Sequence, residues 1–118
     1  MTTAEIANKL VAMCRDGQVE EAKEALFAED IISIEPVEGL LAKETKGMQD
    51  IREKAKLFDS YVEHFYSNII SDPVVAGDYF SLAWQSDLQM KGQPRNNNSE
   101  ICVYKVKDGK IISEQFFY

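Results

Sequence analysis

Glu100–Tyr118 reads E-I-C-V-Y-K-V-K-D-G-K-I-I-S-E-Q-F-F-Y. Two runs rich in Ile, Val, Tyr and Phe flank Asp108-Gly109, the pair that a two-residue type I′ turn prefers because both central residues take positive φ. The stretch is therefore a β-hairpin. With the turn at Asp108-Gly109, Lys107 pairs with Lys110 and Val106 with Ile111. A regular ladder then brings Tyr104 to Ser113 and Cys102 to Gln115. Side chains alternate across a strand, so these residues share one face. Ile101, Val103, Lys105, Ile112, Glu114 and Phe116 share the other. The first face sets Tyr104, Ser113 and Gln115 among apolar neighbours, which suits the wall of a small-molecule pocket. A ladder with ordinary satisfied polar groups is the plainer reading.

Upstream, Tyr79–Met90 alternates over its whole length. Phe80, Leu82, Trp84, Leu88 and Met90 take one parity; Ser81, Ala83, Gln85, Asp87 and Gln89 take the other. Lys91–Asn98 is a polar loop by its turn residues. Tyr61–Ile70 reads as extended, with His64 in its middle. Asp72-Pro73 and Gly77-Asp78 punctuate, leaving Val74–Ala76 as a short strand. The first part of the chain has helical spacing. Thr2 and Glu5 form a capping box, and Ile6, Leu10, Met13 and Cys14 recur over a helix from Thr3 to Arg15 that stops at Gly17. A second helix spans about Gln18–Phe27. Ile31–Pro36 is a short strand ended by proline, with Glu35 at its end. Val37–Lys46 is a loop. A third helix runs from Gly47 to about Phe58, burying Met48, Ile51, Ala55 and Phe58. The expected fold is α+β: three N-terminal helices packed in the concave face of a strongly curved, mainly antiparallel sheet, with a central pocket.

The 118 residues fit one domain, 1–118, with one core. With 13 basic against 20 acidic residues the net charge is −7, and no basic cluster offers itself to a phosphate backbone. Nucleic acid is not an expected partner. No apolar run approaches the ~20 residues of a spanning helix, and the first residues lack the pattern of a signal peptide. A soluble, cytoplasmic protein with no membrane partner is the expectation. Cys14 and Cys102 fall on different elements and read as buried free thiols. The one histidine, His64, and the absence of paired Cys or His spacing argue against a metal.

Four short motifs, in order, carry a family resemblance. Ala28-Glu29-Asp30-Ile31-Ile32 through Glu35-Pro36 is similar to an acidic pair, strand and acid-proline ending. Gly47–Arg52, G-M-Q-D-I-R, is similar to a G-x-x-x-I-R helix start. Ala76-Gly77-Asp78-Tyr79 through Trp84 resembles a Gly-Asp turn and an alternating strand ending in tryptophan. Lys107–Ile111 matches a D-G-K-I turn. Together the chain resembles the SnoaL-like group of the nuclear-transport-factor-like superfamily, the cystatin-like cone. That resemblance covers nearly the whole chain. It implies a pocket protein without cofactor: an isomerase, cyclase or dehydratase that moves a proton next to a carbonyl, or a non-catalytic ligand-binding or dimerisation domain. The sequence departs from the family's pattern: Ile34-Glu35-Pro36 stands for the His-Asp-Pro ending of the first strand, the aspartate common just after the last strand is missing, and no Asp-Tyr pairing maps onto the isomerase oxyanion hole.

The candidate residues follow. Glu35 is a general base if apolar surroundings hold it, or else a strand-end carboxylate in solvent. His64 is the side chain whose ordinary pKa lies nearest neutrality, and is either an acid–base group or a hydrogen-bonded strand histidine. Trp84, Tyr104 and Gln115 are the substrate-binding candidates: Trp84 to pack on an apolar ligand, Tyr104 and Gln115 to polarise a carbonyl. Pairing Met90 with Ser99 puts Trp84 on the face of Lys105; a one-residue shift puts it opposite. Core packing is the plainer role for Trp84, and an internal hydrogen bond for the other two. The expected partners are a small apolar or carbonyl-bearing ligand and a second copy of the chain. Ile101, Val103, Ile112 and Phe116 make the convex face too apolar to stay bare, which predicts a homodimer through it.

Overall fold

A computed structural model describes residues 1–118 in full. The helices come first: α1 (Thr3–Arg15) and α2 (Val19–Leu26). The strand β1 (Phe27–Ile34) follows α2 directly, then β2 (Glu44–Lys46) and α3 (Met48–Tyr61). Four further strands close the chain's sheet with β3 (Val62–Ile70): β4 (Val74–Ala76), β5 (Tyr79–Met90), β6 (Asn96–Lys107) and β7 (Lys110–Phe117) are those four. The strand order is β2-β1-β7-β6-β5-β3, with β4 on β5. All pairings are antiparallel except β1 with β7, which the intervening helices and strands allow to run parallel.

The helix ends are set by local chemistry. Thr2 Oγ1 accepts from the Glu5 N–H at 3.1 Å and Glu5 Oε1 accepts from the Thr2 N–H at 2.9 Å, so the capping box forms as read. Gly47, at φ +90° and ψ 150°, caps α3 in a conformation that L side chains avoid, and its N–H donates to the Ile31 carbonyl at 2.8 Å. That bond fixes where α3 starts relative to β1. The Arg15 guanidinium donates to the Ile70 carbonyl and pairs with Asp72, tying the end of α1 to the end of β3. Ile6, Leu10, Val11, Cys14, Ala22, Leu26, Met48 and Ile51 face Ile31, Phe80, Leu82, Cys102, Tyr104, Val106 and Ile111 in one buried core. The three helices therefore fill the concave side of the sheet, which is the α+β layering expected.

Besides the start of β6 at Asn96, inside the loop expected over Lys91–Asn98, three expectations need correction. The first strand starts at Phe27 instead of Ile31, because Phe27 pairs with Ile111 and a register break absorbs the exposed Glu29 and Asp30. Glu44–Lys46, expected as loop, pairs with Ile32–Ile34 as an edge strand too short to show alternation. The third change has the widest consequences. Asp108 (φ 52°) and Gly109 (φ 75°) make the expected turn, and Lys107 and Val106 find the expected partners. Beyond them a bulge leaves Ile112 unopposed, so Lys105 meets Ser113, Tyr104 meets Glu114 and Cys102 meets Phe116. A regular ladder would have turned Ser113 and Gln115 inward and Phe116 outward. The bulge exchanges them, turning Phe116 onto the core and Glu114 into it.

Candidate functional site

The concave wall near the end of β1 holds a connected set of polar side chains. Ile31 and Ser33 of β1 and Glu35, the residue just past its end, share one parity, and all three are buried. The parallel neighbour of Ser33 is Glu114. Ser33 Oγ donates to Glu114 Oε1 at 2.8 Å and accepts from Lys54 Nζ at 2.8 Å. Lys54 Nζ also donates to Glu35 Oε2 at 3.2 Å, and both side chains of that ion pair are largely buried. The hydroxyl of Tyr118, just past β7, donates to Glu35 Oε1 at 3.0 Å. The chain of contacts thus runs Tyr118, Glu35, Lys54, Ser33, Glu114. Lys54 comes from α3, one turn after the buried Ile51, and its ammonium lies 5.2 Å from the centre of the Phe116 ring. The Glu35 N–H donates to the Lys43 carbonyl at 2.7 Å, which holds the loop after β1 against the site.

A third carboxylate faces the same side. Glu100 shares its parity on β6 with Cys102 and Tyr104 and pairs across the ladder with Trp84. The donor beside it is the Cys102 thiol, 3.6 Å from Oε1. Burial pushes the Glu100 carboxyl up to about 7, and the charges of Glu35 and Glu114 push in the same direction. Burial raises Glu114 as well, against the opposing pull of Lys23, the Ser33 hydrogen bond and Lys54. Tyr118 rises to about 12, through burial and then the charge on Glu35. One wall therefore carries carboxyl groups in opposite settings: Glu35 is held by an ammonium and a phenol, while Glu100 has no cation within hydrogen-bonding reach. A cleft of about 340 Å³ between the loop after β1, β2 and α3 is lined by Leu41, Thr45, Asp50 and Leu57, with Lys54 at its border. Lys54 connects that cleft to the buried set.

The structure separates the residues expected from the sequence. Glu35 lies in the network. Trp84 pairs with Glu100 and so stands on the face opposite Lys105, packed partly against the core. Tyr104 is inside, but as a core residue: its ring stacks on Phe80 at 4.7 Å. Gln115 is corrected. The bulge turns it to the convex face beside Val103, exposed and away from Tyr104. His64 is corrected too. It lies exposed on β3, at the opposite edge of the sheet from β2 and β1, with Tyr66 as its aromatic neighbour at 6.2 Å.

A family model described as a SnoaL-like domain matches residues 1–118. The chain belongs to the SnoaL-like family. Among solved structures, this SnoaL-like chain is similar to a SnoaL-like polyketide cyclase candidate from Mesorhizobium loti, at 32% identity over 100% of both chains with a TM-score of 0.94. It resembles a nuclear-transport-factor-like protein of unknown function from Burkholderia pseudomallei at 9% identity, covering 100% of this chain and 92% of that one, TM-score 0.81. It also resembles a protein with a ketosteroid isomerase-like fold from Catenulispora acidiphila, in complex with trimethylamine, at 24% identity over 99% and 87% of the two chains, TM-score 0.73. No curated protein matches the sequence.

Five residues of this wall are not among the candidates read from the sequence. Ser33 and Lys54 had a signal: Ser33 lies between Ile31 and Glu35 at the spacing of one strand face, and Lys54 falls three residues after Ile51 on a helical stripe. Glu100 shared the parity of Cys102 and Tyr104. Glu114 had none, because only the bulge brings it inside. Tyr118 lies beyond the last paired residue, where alternation says nothing.

Proposed function

We propose that this SnoaL-like chain binds a small, largely apolar, carbonyl-bearing molecule and moves a proton next to its carbonyl without a cofactor. The observation that carries this is the contrast between two glutamates on one concave wall. Glu35, ion-paired to Lys54, is the acceptor for a proton on the carbon beside the carbonyl. Glu100, raised to about 7, is protonated in about half of the molecules at neutral pH, and in those it can share its proton with the carbonyl oxygen as the enolate forms. The proton returns from Glu35 to another carbon of the enolate, so nothing is consumed and no electron acceptor is needed. Trp84 and Phe116 give the aromatic surface beside these groups. The resemblance to the polyketide cyclase candidate and to the ketosteroid isomerase-like fold supports the reaction class.

The test is a substrate that reports only proton removal from carbon, such as 5-nitrobenzisoxazole. The wild-type chain is expected to open this ring faster than free carboxylate does. Glu35→Gln should lose on the order of a hundredfold of that rate, the usual worth of a positioned base. His64→Ala should lose none, since His64 lies outside the network. Equal rates for wild type and Glu35→Gln contradict the reading.

A second reading concerns assembly, and a specific observation favours it. Ile101 and Phe117 are cross-strand neighbours on the convex face, 46% and 49% exposed, with Ala83 and Val103 beside them. Phe117 stands where a regular ladder would put Phe116. This patch fits a second copy of the chain, so a homodimer through the convex sheet face is part of the proposal.

A further inference from the structure

The hydrogen bond between Tyr118 and Glu35 joins two unequal partners. Tyr118 as a residue is 67% exposed, whereas Glu35 is 5% exposed. The bond crosses from the solvent side into the core. Tyr118 follows Phe117, whose pairing with Ile101 is the last rung of the ladder, so no strand bond holds the Tyr118 backbone. Glu35 is held independently. Its other oxygen accepts from Lys54, which is fixed in turn by Ser33, and its N–H is bound to the Lys43 carbonyl. Taking the phenol away would therefore leave Glu35 in place, still paired with Lys54 and with one acceptor position open. The acceptor suits a neutral donor attached to a flat ring. A carboxylate ligand would meet Glu35, Glu100 and Glu114 together, and the one ammonium at the site is already shared between Ser33 and Glu35. The aromatic surface that a flat ring needs is supplied by Phe116, next to Lys54.

We infer that Tyr118 stands in for the ligand: its phenol occupies the Glu35 Oε1 position that a ligand's phenolic or enolic hydroxyl takes, and the ligand binds by displacing it. The proposed substrate class narrows accordingly, to planar molecules whose carbonyl is accompanied by such a hydroxyl. Tyr118 is then a specificity-determining residue, since any ligand without a hydroxyl must give up the bond that Tyr118 already makes. The inference rests on the reading that Glu35 is the ligand-facing carboxylate.

Calorimetric titration with 2-naphthol at neutral pH tests it, with 2-methoxynaphthalene as the ring-matched compound that cannot donate. Wild type is expected to bind the naphthol and to prefer it to the methyl ether. Tyr118→Phe removes the internal competitor and keeps the ring, so it should bind 2-naphthol about tenfold more tightly, the scale of one hydrogen bond to a charged group. Its affinity for the methyl ether should rise by a similar factor, because the ether too has to displace the Tyr118 phenol in wild type. Glu35→Gln should erase the preference for the naphthol. Overturning results are a Tyr118→Phe variant that binds the naphthol no better or worse than wild type, and a naphthol that binds neither protein. Either one, found alongside ring opening of 5-nitrobenzisoxazole that depends on Glu35, removes the role of Tyr118 and leaves proton transfer standing. The opposite combination, displacement without ring opening, keeps Tyr118's role and removes the catalysis.

Discussion

Removing the Lys54 ammonium would leave Glu35 buried with only the Tyr118 phenol beside it. Breaking one side of a buried ion pair strands the other charge, so Lys54→Met should cost about 3 kcal/mol in urea denaturation. Replacing both, as Lys54→Met with Glu35→Leu, should cost less than Lys54→Met alone, because no charge is then stranded; a larger loss would mean that the pair itself stabilises the fold. Glu100 makes the site's pH dependence. Its folded-state value of about 7 lies above the ordinary 4.5, so the folded chain keeps a proton that the unfolded chain has released. Proton retention by the folded state lowers stability as pH rises from about 4.5 to about 7, after which the loss is complete. Glu100→Gln cannot lose that proton. Its stability relative to wild type should rise by about 3 kcal/mol between pH 4 and 8, read from paired urea curves, whereas a constant difference would place Glu100 in water. Glu114 is raised in the same direction but is present in both proteins and cancels.

At the scale of the elements, one residue in β7 decides which side chains enter the cone. The hairpin was legible from Asp108-Gly109, and so were the three helices, from their apolar spacing and the Thr2–Glu5 box. The bulge at Ile112 was not. Ile111 and Ile112 are both apolar and either can face inward, so alternation alone does not say where the strand slips. What selects the slip is the burial of Phe116 together with the partner that Ser33 offers Glu114. A regular ladder therefore puts Gln115 on the wrong face and Glu114 outside, whereas the position of Glu35 at the end of β1 does not depend on that register. His64 was singled out for its chemistry, and nothing in an edge strand's alternation tells an exposed histidine from a buried one. The position of α3 depends on a different local feature. Gly47 sits at φ +90°, and a Cβ there would meet the Glu29 carbonyl at 3.8 Å, so space is available but the backbone is not. Gly47→Ala should cost about 1–3 kcal/mol by urea denaturation, the usual strain of such a conformation in an L residue. An unchanged midpoint would show that α3 can start elsewhere.

At the scale of the whole molecule, the sheet's two faces have separate work. The concave face holds helices, core and carboxylates; the convex face presents Ile101 and Phe117 half exposed. Light scattering across the micromolar range should give twice the 13.4 kDa chain mass for wild type. Ile101→Glu should give the chain mass, and a wild-type monomer throughout that range would contradict the interface. No helix is long and apolar enough to cross a membrane. The claim on which the proposed chemistry depends most is that a protonated glutamate and an ion-paired one share the concave wall. The direct measurement is NMR titration of the glutamate side-chain carboxyl carbons. The account predicts a signal titrating near pH 7 that is absent in Glu100→Gln and moves to lower pH in Glu35→Gln, where a neighbouring negative charge is gone and Lys54 is released. A Glu100 signal titrating near the ordinary 4.5, unmoved by the Glu35 substitution, would contradict it.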